Sequence, residues 1–258
     1  MDIRSARTLG LAEYTALFNA AYEGYLIPFH LDEGTAAAMA EAFDLDAEAS
    51  RVAYREEEAI GLGNLGIRGE DAWIGGVGVV PAARRSGVGE ALMRALHEQA
   101  QERGIRRVWL EVIVENTVAF ALYEKLGYRT VRHVEVWSLP ATENGESAAH
   151  EASASEAHDR IRELRSGREP WQRADETLEH YGDALGLLAD GGAAVYRQPG
   201  DNVQLIQIAG NAEPLLRALR ILGPVSVLNL PKDDQAAPAF RSLGATVVVR
   251  QHEMLLEL

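Results

Sequence analysis

The sequence predicts a mixed α/β (α+β) layer fold, with a mainly antiparallel sheet flanked by helices, followed by a second, partial α/β domain. Three observations predict it. At 258 residues, with 47% hydrophobic and 25% charged residues, the chain exceeds one average domain and has a globular composition. Short strand-like runs alternate with longer segments of helical period. A polar stretch over residues 140–159, nearly without large apolar residues, divides the chain.

Residues 2–8 read as a first strand and residues 11–22 as a helix, with Leu11, Tyr14, Leu17, Phe18 and Ala21 at helical spacing. An aromatic loop, Tyr22-Glu23-Gly24-Tyr25-Leu26-Ile27-Pro28-Phe29-His30, breaks at Pro28 and leads into an Ala-rich helix over residues 32–43. Residues 51–55, 59–68 and 72–80 read as an antiparallel meander joined by the polar turns Glu56-Glu57-Glu58 and Gly69-Glu70-Asp71. The segment 89–103 is a long amphipathic helix ended by Gly104 as a left-handed cap. Strand 107–114, helix 117–125 and strand 128–139 close a first domain, residues 1–139.

Residues 140–169 then read as a flexible linker, because so few apolar residues cannot offset the entropy of ordering. Residues 170–258 form the second domain: helix 174–188, strands 193–197 and 203–209, helix 213–222, strand 225–230, helix 235–243 and strand 246–256. Its end repeats the end of the first domain, with Leu126-Gly127 answered by Leu243-Gly244 before a long strand. A duplicated domain accounts for this, although any strand-helix-strand unit shares the outline.

The most informative stretch is Val77-Gly78-Val79-Val80-Pro81-Ala82-Ala83-Arg84-Arg85-Ser86-Gly87-Val88-Gly89, which runs from an apolar strand straight into a helix. A helix N-terminus leaves backbone N–H groups unpaired and carries partial positive charge, so it can hold a pyrophosphate. Gly87 and Gly89 would let phosphate approach without a Cβ in the way, and Arg84 and Arg85 add positive charge. A purely structural glycine turn fits the same residues.

Strand, V-x-P, R-x-x-G-x-G and long helix resemble the GNAT superfamily of acetyltransferases. Leu110-Glu111-Val112, Asn116, Ala119, Leu122-Tyr123-Glu124 and Leu126-Gly127-Tyr128 are similar to the family's second hallmark, most closely in its ribosomal-protein N-terminal alanine acetyltransferase branch. The resemblance covers residues 1–139 and implies a GNAT sheet, with the second domain a degenerate GNAT-like copy. It implies acetyl-coenzyme A as co-substrate, with its arm in a gap between the strand ending at Val80 and the next. Val79 would then serve the acetyl and pantetheine amides, Arg84, Arg85, Ser86, Gly87, Val88, Gly89 and Glu90 the pyrophosphate, and Asn116 the arm. Asn116 also suits a helix N-cap.

Transfer to an amine needs a proton acceptor, because an alkyl amine has a solution pKa near ~10. Glu111 is the candidate, sharing a strand face with Trp109 and Ile113, although an edge-strand glutamate facing water fits the same position. The resemblance gives Tyr123 the task of protonating the leaving thiolate; on spacing alone Tyr123 lies on an apolar helix face and suits a core. Geometry implied by the family puts the acceptor between the aromatic loop, with Tyr22, Tyr25, Phe29 and His30, and the strand bearing His133, Glu135 and Trp137.

The formal charge of −14 argues against nucleic acid or anionic membrane as partner, since both need a basic surface. Without Cys there is neither a thiolate nucleophile nor Cys-ligated zinc, and the His residues are dispersed, so no metal is expected. The first residues lack a signal-peptide core and no run approaches ~18 apolar residues, so a cytoplasmic location is expected. The expected activity is direct acetyl transfer to a small-molecule amine. The alternatives are transfer to a peptide N-terminus and a non-catalytic acetyl-coenzyme A sensor. The second domain could shape the acceptor site or supply a homodimer interface.

Overall fold

The structure, a computed structural model, describes residues 1–143, 145 and 147–258. It divides into two compact units, one of Met1–Val131 with His252–Leu258 and one of Arg132–Gln251.

The first unit contains β1 (Asp2–Ser5), α1 (Leu11–Ala21), α2 (Glu33–Ala42), β2 (Arg51–Arg55), β3 (Glu58–Arg68), β4 (Asp71–Val79), α3 (Val88–Glu102), β5 (Arg107–Ile113) and α4 (Thr117–Lys125). Strands β1 to β4 pair in sequence as an antiparallel meander, and β5 lies parallel to β4. Strand alternation sorts β2: Val52 and Tyr54 join Leu17 and Phe18 of α1 in one cluster, while Ala53 joins Val88 and Leu92 of α3 in another. Helices therefore cover both faces. Helix α3 buries Val88, Leu92, Met93, Leu96 and Ala100 along one stripe, at roughly 1.5–3 kcal/mol for each large side chain.

The second unit contains most of β6 (Arg129–Leu139), then β7 (His150–Ala152), α5 (Ala154–Leu164), α6 (Asp175–Glu179), β8 (Leu185–Ala189), β9 (Gly192–Arg197), β10 (Val203–Gly210), α7 (Ala212–Leu222), β11 (Val225–Pro231), α8 (Ala237–Ser242) and the first half of β12 (Thr246–Glu257). Its strand order is β6-β11-β10-β9-β8-β7, antiparallel except for the parallel pair β10–β11. Leu139, Leu205, Leu215, Leu216, Leu219 and Phe240 centre its core.

Three expectations are corrected. Strand 128–139 does not close the first domain, because all but its first residues belong to the second unit. The first unit is closed instead by His252–Leu258, whose Met254 is fully buried with Leu110 and Tyr123, and whose Leu258 N–H donates to Arg106 O at 2.9 Å. Residues 140–169 are not a bare linker: they carry β7 and α5. Ser153 caps α5 by accepting from Glu156 N–H at 3.1 Å, and Ala157 and Ile161, one turn apart, suffice to seat it on Ala193 and Val195. Residues 174–188 are not one helix either. Helix α6 stops at Glu179, and residues 185–189 form a strand paired with β9. Among the described residues no helix is long and apolar enough to cross a membrane.

Candidate active site

Strands β4 and β5 pair only over Asp71↔Arg107, Ala72↔Val108 and Trp73↔Trp109, and beyond Trp73 they part. A bulge sits where they separate, since Asn64 faces Gly76 while Leu65 faces Ile74, leaving Gly75 over. At the far end Val80 N–H donates to Ile60 O at 3.0 Å across the Gly61↔Val79 register. Val79 is therefore a non-hydrogen-bonded position of that ladder, and its N–H and C=O point away from β3, toward the side that β5 has left.

The split ends at the start of α3. Gly87, with φ +86°, is its N-cap, no side chain caps it, and nothing lies within 4 Å of where a Cβ would stand. The first N–H groups of α3 thus have neither an intrahelical partner nor a cap. Arg85 is exposed with φ 61°, and Ser86 Oγ donates to Ala83 O at 2.7 Å, closing the preceding turn.

Two of the expected phosphate-binding side chains are engaged elsewhere. Arg84 donates to Val79 O at 2.9 Å, Ala21 O at 3.1 Å and Glu23 O at 2.6 Å, clamping the end of α1 to the end of β4. Glu90 accepts from Lys125 at 2.7 Å and from Arg94 at 2.8 Å, and these two cations, Lys125 first, hold its carboxyl below the usual range. An anion at this turn would therefore meet the backbone of Arg84 and Glu90 rather than their side chains.

On the parted section of β5, Glu111 is half-buried and its Oε2 accepts from the Trp73 indole at 2.8 Å. Asn116 caps α4, its Oδ1 accepting from Ala119 N–H at 3.2 Å, and its Nδ2 lies 3.5 Å from the Tyr25 hydroxyl. Tyr123 is buried beside Tyr128, ring centroids 5.9 Å apart, and burial, with Tyr25 nearby adding to it, raises its phenol well above the usual range. Tyr128 in turn meets His97 Nε2 at 2.8 Å.

The aromatic loop continues a ladder along α1. Phe18 stacks on Tyr22 at 4.4 Å, Tyr22 meets Tyr25 edge-on at 5.2 Å, and Phe29 meets Phe18 edge-on at 5.7 Å. Asn19 fastens the far end of the loop by bonding Leu31 N–H and C=O, each at 2.9 Å. Tyr25, Phe29 and His30 line an open groove of about 530 Å³ with Tyr22, Asn19 and Pro28. Trp137 is a correction: it is 2% exposed in the core of the second unit, tilted on Phe240 at 5.6 Å, and offers no surface to a substrate. Glu135 is likewise buried, with Arg250 at 3.4 Å, while His133 is exposed. Sequence reasoning missed Trp73 and its neighbour Phe43; the only signal available was that Trp73 precedes a glycine pair in a strand. Among the described residues no group of three or more His, Cys, Asp or Glu could hold a metal ion.

Residues 12–128 match the Acetyltransferase (GNAT) family. Over 59 residues, 23% of this chain and 40% of the relative's length, the sequence is 39% identical to the [Ribosomal protein bS18]-alanine N-acetyltransferase of Escherichia coli (strain K12). Over 143 residues, 52% of this chain and 95% of the relative, it is 27% identical to the aminoglycoside N(6')-acetyltransferase type 1 of Salmonella enteritidis. In fold, 99% of the chain superposes on 98% of a tandem GNAT protein from the clavulanic acid biosynthesis pathway, with a TM-score of 0.66 and 13% identity. The parted strands, the bare helix start and the family match coincide in one stretch, residues 12–128, which is similar to the acetyltransferase domains of the GNAT family.

Proposed function

We propose that the chain transfers an acetyl group from acetyl-coenzyme A directly to a primary amine, and the observation that carries this is the split of β4 from β5 ending at the uncapped start of α3. The parted strands give an extended arm backbone partners on one side, and the helix start supplies N–H donors for a pyrophosphate. When bound, acetyl-coenzyme A supplies an activated thioester carbonyl.

This chain's residues then divide the work. Val79 N–H donates to the carbonyl oxygen as charge builds on it. Glu111, directly or through one water, takes the proton that the amine nitrogen loses as its bond to the carbonyl carbon forms. Tyr123, protonated at neutral pH as phenols are, gives its proton to the thiolate as the carbon–sulfur bond breaks. Tyr25, Phe29 and His30 line the acceptor side, where aromatic faces suit a cationic amine with apolar neighbours.

Transfer to a peptide N-terminus is the second reading, supported by the 39% identity with the bS18-alanine enzyme. The test is coenzyme A release with alkyl polyamines, aminoglycosides, amino acids and alanine-initiated peptides, on wild type and Tyr123→Phe. The variant is expected to lose about 10²–10³-fold in kcat while binding acetyl-coenzyme A with unchanged affinity. Binding of acetyl-coenzyme A without turnover on any amine would instead favour a sensor.

A further inference from the structure

We propose that Trp73, given room by Gly75, is a positioning residue that fixes the Glu111 carboxylate at the mouth of the β4–β5 split. The inference rests on Glu111 being the proton acceptor. Trp73 is the last residue of β4 paired with β5, opposite Trp109, whereas Glu111 lies beyond it on the part of β5 that has lost its β4 neighbour. The 2.8 Å bond from the Trp73 indole N–H to Glu111 Oε2 therefore reaches forward along the sheet into the split.

Two further contacts hold the indole in that reach. Phe43 packs edge-on against it, centroids 5.5 Å apart at 73°, and Trp73 is only 5% exposed. Gly75 supplies the space: a Cβ there would stand 2.5 Å from Cζ3 and 3.0 Å from Cη2 of Trp73. Its backbone is outside the left-handed region, so any residue could adopt it, and glycine is needed for room alone. The bulge that parts the strands is thus also where the indole folds over.

A merely structural indole would cost stability when changed, but its kinetic effect would not depend on Glu111. A positioning residue acts through Glu111, so the two changes cannot add. The experiment is a kinetic cycle of Trp73→Phe, Glu111→Gln and the double variant in the full chain, with Gly75→Ala as an independent displacement of the indole. Coenzyme A release from acetyl-coenzyme A is followed with an alanine-initiated peptide and with 2-phenylethylamine. Calorimetry with acetyl-coenzyme A checks that each variant keeps its binding site. Trp73→Phe and Gly75→Ala are each expected to lower kcat about tenfold with KM for acetyl-coenzyme A within about twofold, and to have no further effect once Glu111 is Gln. The Trp73 indole N–H resonance should also move in Glu111→Gln.

Equal losses in both backgrounds would overturn the inference, as would an unmoved resonance or full activity of Trp73→Phe where Glu111→Gln is slow. If Glu111→Gln itself turned over at the wild-type rate, the proton-acceptor reading would fall first. That outcome is distinct from failure of the positioning role.

Discussion

Arg84 illustrates what a motif position discloses and what it hides. Its place in R-x-x-G-x-G is legible in the sequence, but its partners are backbone carbonyls at Ala21 and Glu23, which no side-chain pattern marks. Arg84→Ala should therefore destabilise the protein by about 1–3 kcal/mol in urea unfolding, the scale of charged hydrogen bonds to carbonyls, and raise the acceptor KM by loosening the aromatic loop. Acetyl-coenzyme A affinity should change less than twofold; a large loss there with unchanged stability would show that the guanidinium serves phosphate after all. His97 offers a pH test in the same unit. Burial, with Arg94 nearby adding to it, pushes its imidazole down from 6.5 to about 4, so between those values the unfolded chain binds the extra proton and the folded chain does not. Its contribution is fully present above pH 6.5 and is lost as pH falls toward 4. His97→Gln should flatten the fall of Tm across that window, and an unchanged slope would remove His97 from the account. Neither the burial of His97 nor its Tyr128 partner was legible, because His97 reads as one polar position on a long helix.

At the scale of elements, the meander, the long helix α3 and the two strands of the split were legible because period and turn residues agree there. The parting of β4 from β5 was expected only through the family resemblance. Its local cause, the bulge at Gly75, depends on register, which a strand's own sequence does not carry. The start of α3 depends on Gly87 in two separable ways. Gly87→Ala meets open space and costs only its left-handed backbone, about 1–2 kcal/mol, so it should fold and still bind acetyl-coenzyme A. Gly87→Glu adds a carboxylate at the positive end of the helix, where a pyrophosphate would compete with it, and should abolish binding by calorimetry. Unchanged affinity in Gly87→Glu would move the phosphate site away from α3.

At the scale of the whole molecule, the repeated strand-helix-strand outline was legible but the owner of each closing strand was not. Residues 128–139 and 246–256 both come just after a Leu-Gly and both form long strands, so the pattern alone does not mark one as the closing strand of the first unit, and packing decides that His252–Leu258 closes it. Cutting the chain after residue 139 would take Met254 from the first core, so binding has to be counted on the full chain. The second unit repeats the split, β10 and β11 pairing only from Val203↔Val225 to Leu205↔Val227. Its helix start differs. Between Gly210 and Ala212 stands only Asn211, whose N–H donates to Gly191 O at 2.9 Å, and a Cβ on Gly210 would meet that same oxygen at 2.0 Å. The backbone of a neighbouring turn thus occupies the place that is open above Gly87. Glu213, in the first turn of α7, adds negative charge there. A cavity of about 260 Å³ in this unit mixes Arg132, Arg165 and Lys232 with Glu169, Asp233 and Asp234, and Arg165 already grips Asp175 at 2.6 and 2.7 Å. Phe240, aligned with Tyr123 on Leu-Gly, is fully buried and has no proton to give. Calorimetric titration of the full chain should accordingly find one acetyl-coenzyme A bound per chain and none to the Gly87→Glu variant. A stoichiometry of two, or binding that survives Gly87→Glu at half the wild-type capacity, would place a working site in the second unit and end its reading as a degenerate copy.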